Sequence, residues 1–214
     1  MSVSRFTSVA LALVCLTAAC RPPRVAPLAG APAPTRVLPA SVGLQGHHKI
    51  VFTWELRDGD LVARGDGVAR VASPDSVRLD FFLGGGFGGG AAVMIGDSLQ
   101  APGPDAARRM VPPRALLWAA LGRLDVPAER DTTVRVDGVV TRADIGAPVR
   151  WRVTFRGDTL TRLERVDADR IQEWVERDSG GAVHYRSESA RRTLSLVIRS
   201  NDAVSAFNRA IWSL

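Results

Sequence analysis

From Lys49 to Gln100 the chain repeats one pattern, short runs in which apolar and polar residues alternate, each closed by a turn signal. In KIVFTWEL, Ile50, Phe52, Trp54 and Leu56 share one face while Lys49, Thr53 and Glu55 take the other. A period of two marks a half-buried strand. Arg57-Asp58-Gly59-Asp60 supplies a turn, and in LVARGDGVARV the residues Leu61, Ala63, Gly65, Gly67, Ala69 and Val71 alternate with Arg64, Asp66 and Arg70. After Ser73-Pro74-Asp75, Val77, Leu79, Phe81 and Leu83 point inward in SVRLDFFL, and Gly96-Asp97 forms a tight hairpin within GAAVMIGDSLQ. Consecutive hairpins make the sheet antiparallel. Its apolar face has to be covered, and PPRALLWAALGRL offers a proline-started helix with Leu117, Leu121 and Leu124 on one stripe, flanked by Leu116, Ala120 and Trp118. The expected fold is mainly β, a strongly curved antiparallel sheet with an apolar concave face and this helix as its lid.

The second half continues the strand pattern. TTVRVDGVVTRADI holds Val134 and Val136 in phase, and PVRWRVTFR points Val149, Trp151, Val153 and Phe155 inward against Arg150, Arg152 and Arg156. TLTRLERV, RIQEWVER, VHYRSES and RTLSLVIRS follow, with weaker alternation in the first two. The end, AVSAFNRAIWSL, reads as an irregular closing segment, with a short helix as the alternative. Two features of the first half leave alternatives open. The small residues of LVARGDGVARV either leave room for a ligand or accept bulky neighbours across the sheet. In GGGFGGG no Gly-Lys-Ser/Thr follows and the context is strand to strand, which excludes a phosphate loop. Phe87, alone among those glycines, either folds back on the sheet or projects as a membrane-contacting side chain.

The first residues, MSVSRFTSVALALVCLTAAC, carry one charge, Arg5, then an apolar run from Phe6 to Ala19 and small residues before Cys20. Residues 1–19 read as a signal peptide. At about 14 residues the apolar run is short of the roughly 20 that a membrane-spanning helix needs. Leu16-Thr17-Ala18-Ala19-Cys20 resembles the lipobox at which bacterial lipoproteins are cleaved and acylated, and an ordinary cleavage site beside an incidental cysteine is the alternative. Cys15 leaves with the signal peptide, so the mature chain has no cysteine pair for a disulfide. Arg21 after the cysteine, in place of aspartate, favours the outer membrane with the domain facing the periplasm. Residues 20–41, rich in proline and alanine, read as an acylated cysteine with a solvated tether of about 60 Å at ~3.1 Å per residue. Residues 42–214 then form one domain.

The formal charge of +6 is almost all arginine, Lys49 being the only lysine, and the arginines alternate along strands instead of clustering. That describes a solvated outer face and argues against a nucleic-acid partner. His47 and His48 fall on opposite faces, and His184 stands alone. No HExxH, Gly-x-Ser-x-Gly or compact His and carboxylate cluster occurs, so neither a metal nor another cofactor nor an enzymatic activity is expected. Glu164, Asp167, Asp169, Glu173 and Glu176 are read as solvated charges.

SVRLDFFLGGGFGGGAAVMIGDSLQAPGPDAARRMVPPRALLWAALGRLDVP, from Ser76 to Pro127, resembles the middle of proteins of the LolA/LolB-like superfamily, where a strand with a hydrophobic tip leads through a second strand, a turn and a short strand to a proline-started helix with Leu and Trp. The resemblance implies an unclosed β-barrel with a helical lid and an apolar cavity for the acyl chains of lipoproteins or phospholipids. It implies a monomer that helps deliver lipoproteins to the outer membrane, with a periplasmic LolA-like carrier as a partner. In the family's membrane receptors an exposed leucine on that tip serves delivery. The matching position here is Phe87, with Leu83 as the second candidate. The residues expected to line the cavity are Ile50, Phe52, Trp54, Leu79, Phe81, Leu117, Trp118, Leu121, Trp151 and Phe155. An interaction or structural envelope lipoprotein with a filled core is the rival reading.

Overall fold

A computed structural model describes residues 22–39, 44–85, 88–102, 109–127 and 129–214. The signal peptide, Cys20 and Phe87 lie outside the described residues. The elements are β1 (Ala31–Ala33), β2 (His47–Asp58), β3 (Leu61–Ala72), β4 (Ser76–Leu83), β5 (Gly89–Ile95), β6 (Ser98–Gln100), α1 (Arg114–Ala120), β7 (Thr132–Asp137), β8 (Val140–Ile145), β9 (Trp151–Arg156), β10 (Thr159–Asp167), β11 (Arg170–Arg177), β12 (Ala182–Ser187) and β13 (Arg192–Val204). They form one 13-stranded antiparallel sheet in the order β1-β7-β8-β9-β10-β11-β12-β13-β2-β3-β4-β5-β6. The two ends of that order, β1 and β6, do not pair with each other, so the sheet is an unclosed barrel. The long pairing of β13 with β2, from Arg192 opposite Asp58 to Val204 opposite His47, joins the last strand to the first long one.

The alternation does what its period requires. Ile50, Phe52, Trp54 and Leu56 of β2 are all buried, as are Val77, Leu79 and Phe81 of β4. Their common face is concave, and the helix lies against it, packed on β10, β11 and β12. Helix α1 is shorter than the apolar stripe suggests, because its backbone closes early. The N–H of Gly122 donates to the Ala119 carbonyl and that of Arg123 to the Trp118 carbonyl, both at 2.9 Å. This Schellman closure needs a left-handed residue after the cap, which Gly122 supplies at φ 88°. Leu121 and Leu124 therefore pack from the closing turn and the chain after it.

Two expectations are corrected and one open alternative is decided. Strand β9 starts at Trp151, and Val149 lies in the turn that joins it to β8. The closing segment contains a single 3-10 turn, Arg209–Trp212, capped by the Asn208 side chain, which accepts from the Ala210 N–H at 2.9 Å. The Pro/Ala-rich stretch is extended but not free. Val25 N–H donates to the Asp169 carbonyl and Ile171 N–H to the Pro23 carbonyl, both at 2.9 Å. Arg135 donates to the Gly30 carbonyl at 3.0 Å, and Ala31–Ala33 pairs with β7 as an edge strand. Prolines accept hydrogen bonds as well as any residue, so arginines and edge amides can hold a strap that has no periodicity of its own.

Candidate functional site

Between the helix and the β12-β13-β2-β3-β4 side of the sheet lies a cavity of about 40 Å³. Its wall is formed by Ile50 and Phe52 of β2, Ala69 of β3, Leu79 and Phe81 of β4, Val183 and Tyr185 of β12, and Leu194, Leu196 and Ile198 of β13. Met110, Pro112, Leu117, Ala120 and Leu121 close it from the helix side. Tyr185 is its one titratable side chain. Ligand pockets for drug-sized molecules run to about 300–1,000 Å³, so this space is too small for an acyl chain as it stands.

Six of the ten residues expected around the cavity are there: Ile50, Phe52, Leu79, Phe81, Leu117 and Leu121. Trp54, Trp118, Trp151 and Phe155 are not among its lining. The seat of the helix on β10–β12 accounts for Trp151 and Phe155, which lie on the far side of it from the cavity, while Trp54 of β2 is taken up by its own contacts. Phe155 is fully buried, Trp151 is half-buried against the core, and Trp118 is buried with the Arg123 guanidinium 5.0 Å from its ring centre. Trp54 donates from Nε1 to the Asp66 carbonyl at 2.8 Å and meets Phe81 edge-on at 6.0 Å.

The open choice at the small-residue strand is decided at Gly67. A Cβ built there would stand 2.3 Å from Cε2 of Phe52, so the Phe52 ring occupies the space a side chain would take. The small residue serves a bulky neighbour on the adjoining strand. Leu83, in phase with the inward face of β4, lies beyond the rim of the core and is exposed.

Polar groups gather around this apolar face. Tyr185 donates from its hydroxyl to Glu173 Oε1 at 2.8 Å, and Arg165 Nε donates to Glu173 Oε2 at 2.7 Å. Glu173 is buried on this face, and Glu164 is buried on the opposite face of β10, where Arg162 Nε donates to it at 2.7 Å. The expectation that these two carboxylates are solvated is thus corrected: they are ion-paired, because the strands that carry them are covered. Arg177 shares the concave face of β11 with Glu173 and Val175, and its guanidinium rests against Gly122 at the negative end of α1. Burial lowers its pKa from the ordinary arginine value. At the start of the helix, Arg114 bridges Asp97 of the β5–β6 turn and Asp125.

Burial first, and the Glu173 carboxylate second, raise the Tyr185 phenol well above the usual tyrosine range. The unfolded chain therefore releases this proton first, at about pH 10. Stability from this group is complete below that pH and declines as pH rises above it, by up to about 1.4 kcal/mol per pH unit. Tyr185 is the only tyrosine in the chain, so tyrosinate absorbance reports it alone. The absorbance of the native protein is expected to stay flat past pH 10 and to rise only with unfolding. Tyr185→Phe removes this share of the alkaline decline, and an ordinary titration near pH 10 in the folded protein would contradict the buried contact.

No protein-family model and no curated protein matches this sequence. Among solved structures, the chain is similar to a LolA superfamily protein from Nitrosomonas europaea, with 8% identity, a TM-score of 0.47 and coverage of 79% of this chain and 91% of that one. A DUF1329 family protein from Desulfovibrio piger aligns with 10% identity, a TM-score of 0.42 and coverage of 79% and 90%. A domain from Vibrio parahaemolyticus named for outer membrane lipoprotein sorting aligns with 8% identity, a TM-score of 0.37 and coverage of 78% and 89%.

Proposed function

We propose that the chain is an envelope lipoprotein, anchored through lipid on Cys20, whose concave face accepts acyl chains of lipoproteins or phospholipids and helps deliver them to the outer membrane. The observation that carries this reading is the cavity beneath α1, apolar on every side except the Tyr185 hydroxyl. Acyl chains carry no polar groups to satisfy, and each buried methylene contributes about 0.8 kcal/mol. Loading requires the seven-residue helix to shift from its seat on β10–β12, which would widen the apolar space it leaves against β2–β4 into one the chain could occupy. Release at a bilayer would involve Leu83 and Phe87 at the β4–β5 tip. A LolA-like carrier would supply the cargo.

A second reading is favoured by the cavity's small volume: the core is filled by its own side chains and the outer surface binds an envelope partner. Native mass spectrometry of residues 21–214, exported to a periplasm without the acylated cysteine, separates the two. The carrier reading expects an added mass that dissociates as phospholipid or acylated peptide. A clean apo mass, unchanged after incubation with phospholipid vesicles, would favour the interaction protein.

A further inference from the structure

The first described residues are held by the fold. Arg170 donates from its guanidinium to the Pro22 carbonyl at 2.6 Å, and Ile171 N–H donates to the Pro23 carbonyl at 2.9 Å. Arg24 and Arg170 form an antiparallel bridge, and Val25 N–H is tied to the Asp169 carbonyl. The chain is thus paired to the start of β11, beside the β10–β11 turn, from its twenty-second residue onward. Only Arg21 separates Pro22 from Cys20, and two peptide units reach at most about 7 Å.

We infer that the anchored domain is docked on the bilayer in one orientation, with the β10–β11 turn at the lipid headgroups, instead of ranging on a long tether. This rests on the acylation of Cys20 proposed above. The strand registers show what else faces the lipid. Arg170 lies opposite Asp167, Ser187 opposite both Glu173 and Arg192, Asp58 opposite both Arg192 and Leu61, and Leu83 opposite Gly65. The β10–β11, β12–β13, β2–β3 and β4–β5 turns therefore share one end of the strands. That end exposes large apolar side chains on neighbouring hairpins: Leu61 at 44%, Val62 at 57%, Phe82 at 51% and Leu83 at 41%. From β11 to β3 is four strand spacings, roughly 19 Å along the curved sheet, so a single docked face includes both the strap and the apolar tips. Net charge beside the strap is small, Arg21, Arg24 and Arg170 against Asp167 and Asp169. The leash and apolar burial drive docking, which makes its dependence on salt weak.

The experiment uses the full, processed protein in zwitterionic phospholipid vesicles that carry a headgroup-attached quencher. Asp167→Cys and Asp158→Cys place a fluorophore at opposite ends of β10, roughly 30 Å apart at ~3.3 Å per residue, and both positions are exposed. Quenching is expected to be several-fold stronger at 167 than at 158. A Gly/Ser insertion of about 20 residues between Arg21 and Pro22, reaching roughly 25 Å, is expected to lower quenching at 167. Equal quenching at the two positions in the protein of natural length, with the diacylglycerol mass present, would overturn the docked orientation and leave acylation standing. Absence of that mass would remove the acylation reading, and the orientation with it. Rapid hydrogen exchange at Ile171 would show that the strap is not paired, which also overturns the inference.

Discussion

Phe52→Ala is expected to lower the stability of the empty protein by about 3–5 kcal/mol, the usual cost of deleting a buried aromatic ring. In a domain of this size that is a fall in Tm of roughly 10 °C. Phe52 is nearly fully buried, meets Phe81 edge-on with ring centres 6.0 Å apart, and forms part of the cavity wall. Its removal joins the volume of the ring to the existing space without adding a polar atom. An enlarged apolar cavity stays dry and takes up apolar matter. The carrier reading therefore expects the variant to bind acyl chains more readily than the natural protein does, since less of the helix has to move. Saturating fatty acid, at about 100 times its Kd, would return roughly 2.7 kcal/mol. Urea unfolding with and without the acyl ligand measures both effects. A variant that is destabilised and gains nothing from the ligand would favour the filled-core interaction protein.

The sheet was legible because a half-buried strand writes its environment into every second residue. The hairpin of β2 and β3 pairs Asp58 with Leu61 across the expected turn, and β5 and β6 meet at Gly96-Asp97 as a tight turn demands. What periodicity cannot carry is distance along the chain. The strap's partners, Arg135, Asp169 and Ile171, stand more than 100 residues from it, and a run of prolines and alanines shows no sign of which carbonyls will be met. The cavity lining was half legible for a related reason. Alternation identifies Trp151 and Phe155 as inward, but the seat of α1 over β10–β12 decides which inward residues touch open space. Leu61 and Leu83 show the same limit. Both are in phase with the core face, yet they lie past the rim and are exposed, as their neighbours Val62 and Phe82 are on the other face. The charged residues Glu173 and Arg177 on the concave face of β11 were signalled only by weak alternation in RIQEWVER.

On the carrier reading, Gly67→Val is expected to block acyl uptake while leaving the sheet paired. A Cβ at this position would come within 2.3 Å of Cε2 and 2.4 Å of Cζ of Phe52, far inside contact distance. The ring cannot retreat into β3, and Phe81 lies beside it, so it turns into the 40 Å³ cavity that it already borders. Overpacking of this kind costs about 1–3 kcal/mol, offset in part because glycine in a strand is itself unfavourable by roughly 0.5–1 kcal/mol. The two substitutions should therefore be coupled. In Phe52→Ala the valine finds the space the ring has left, so the double variant is expected to be more stable than the sum of the single effects by about 1–3 kcal/mol. Measuring all four proteins by urea unfolding, and the same four for acyl binding, separates packing from function. Additive stabilities would mean that the Phe52 ring does not rest on Gly67. Coupled stabilities with unchanged acyl binding in Gly67→Val would locate the ligand elsewhere, because the displaced Phe52 ring would stand in the space that a chain beneath α1 has to enter.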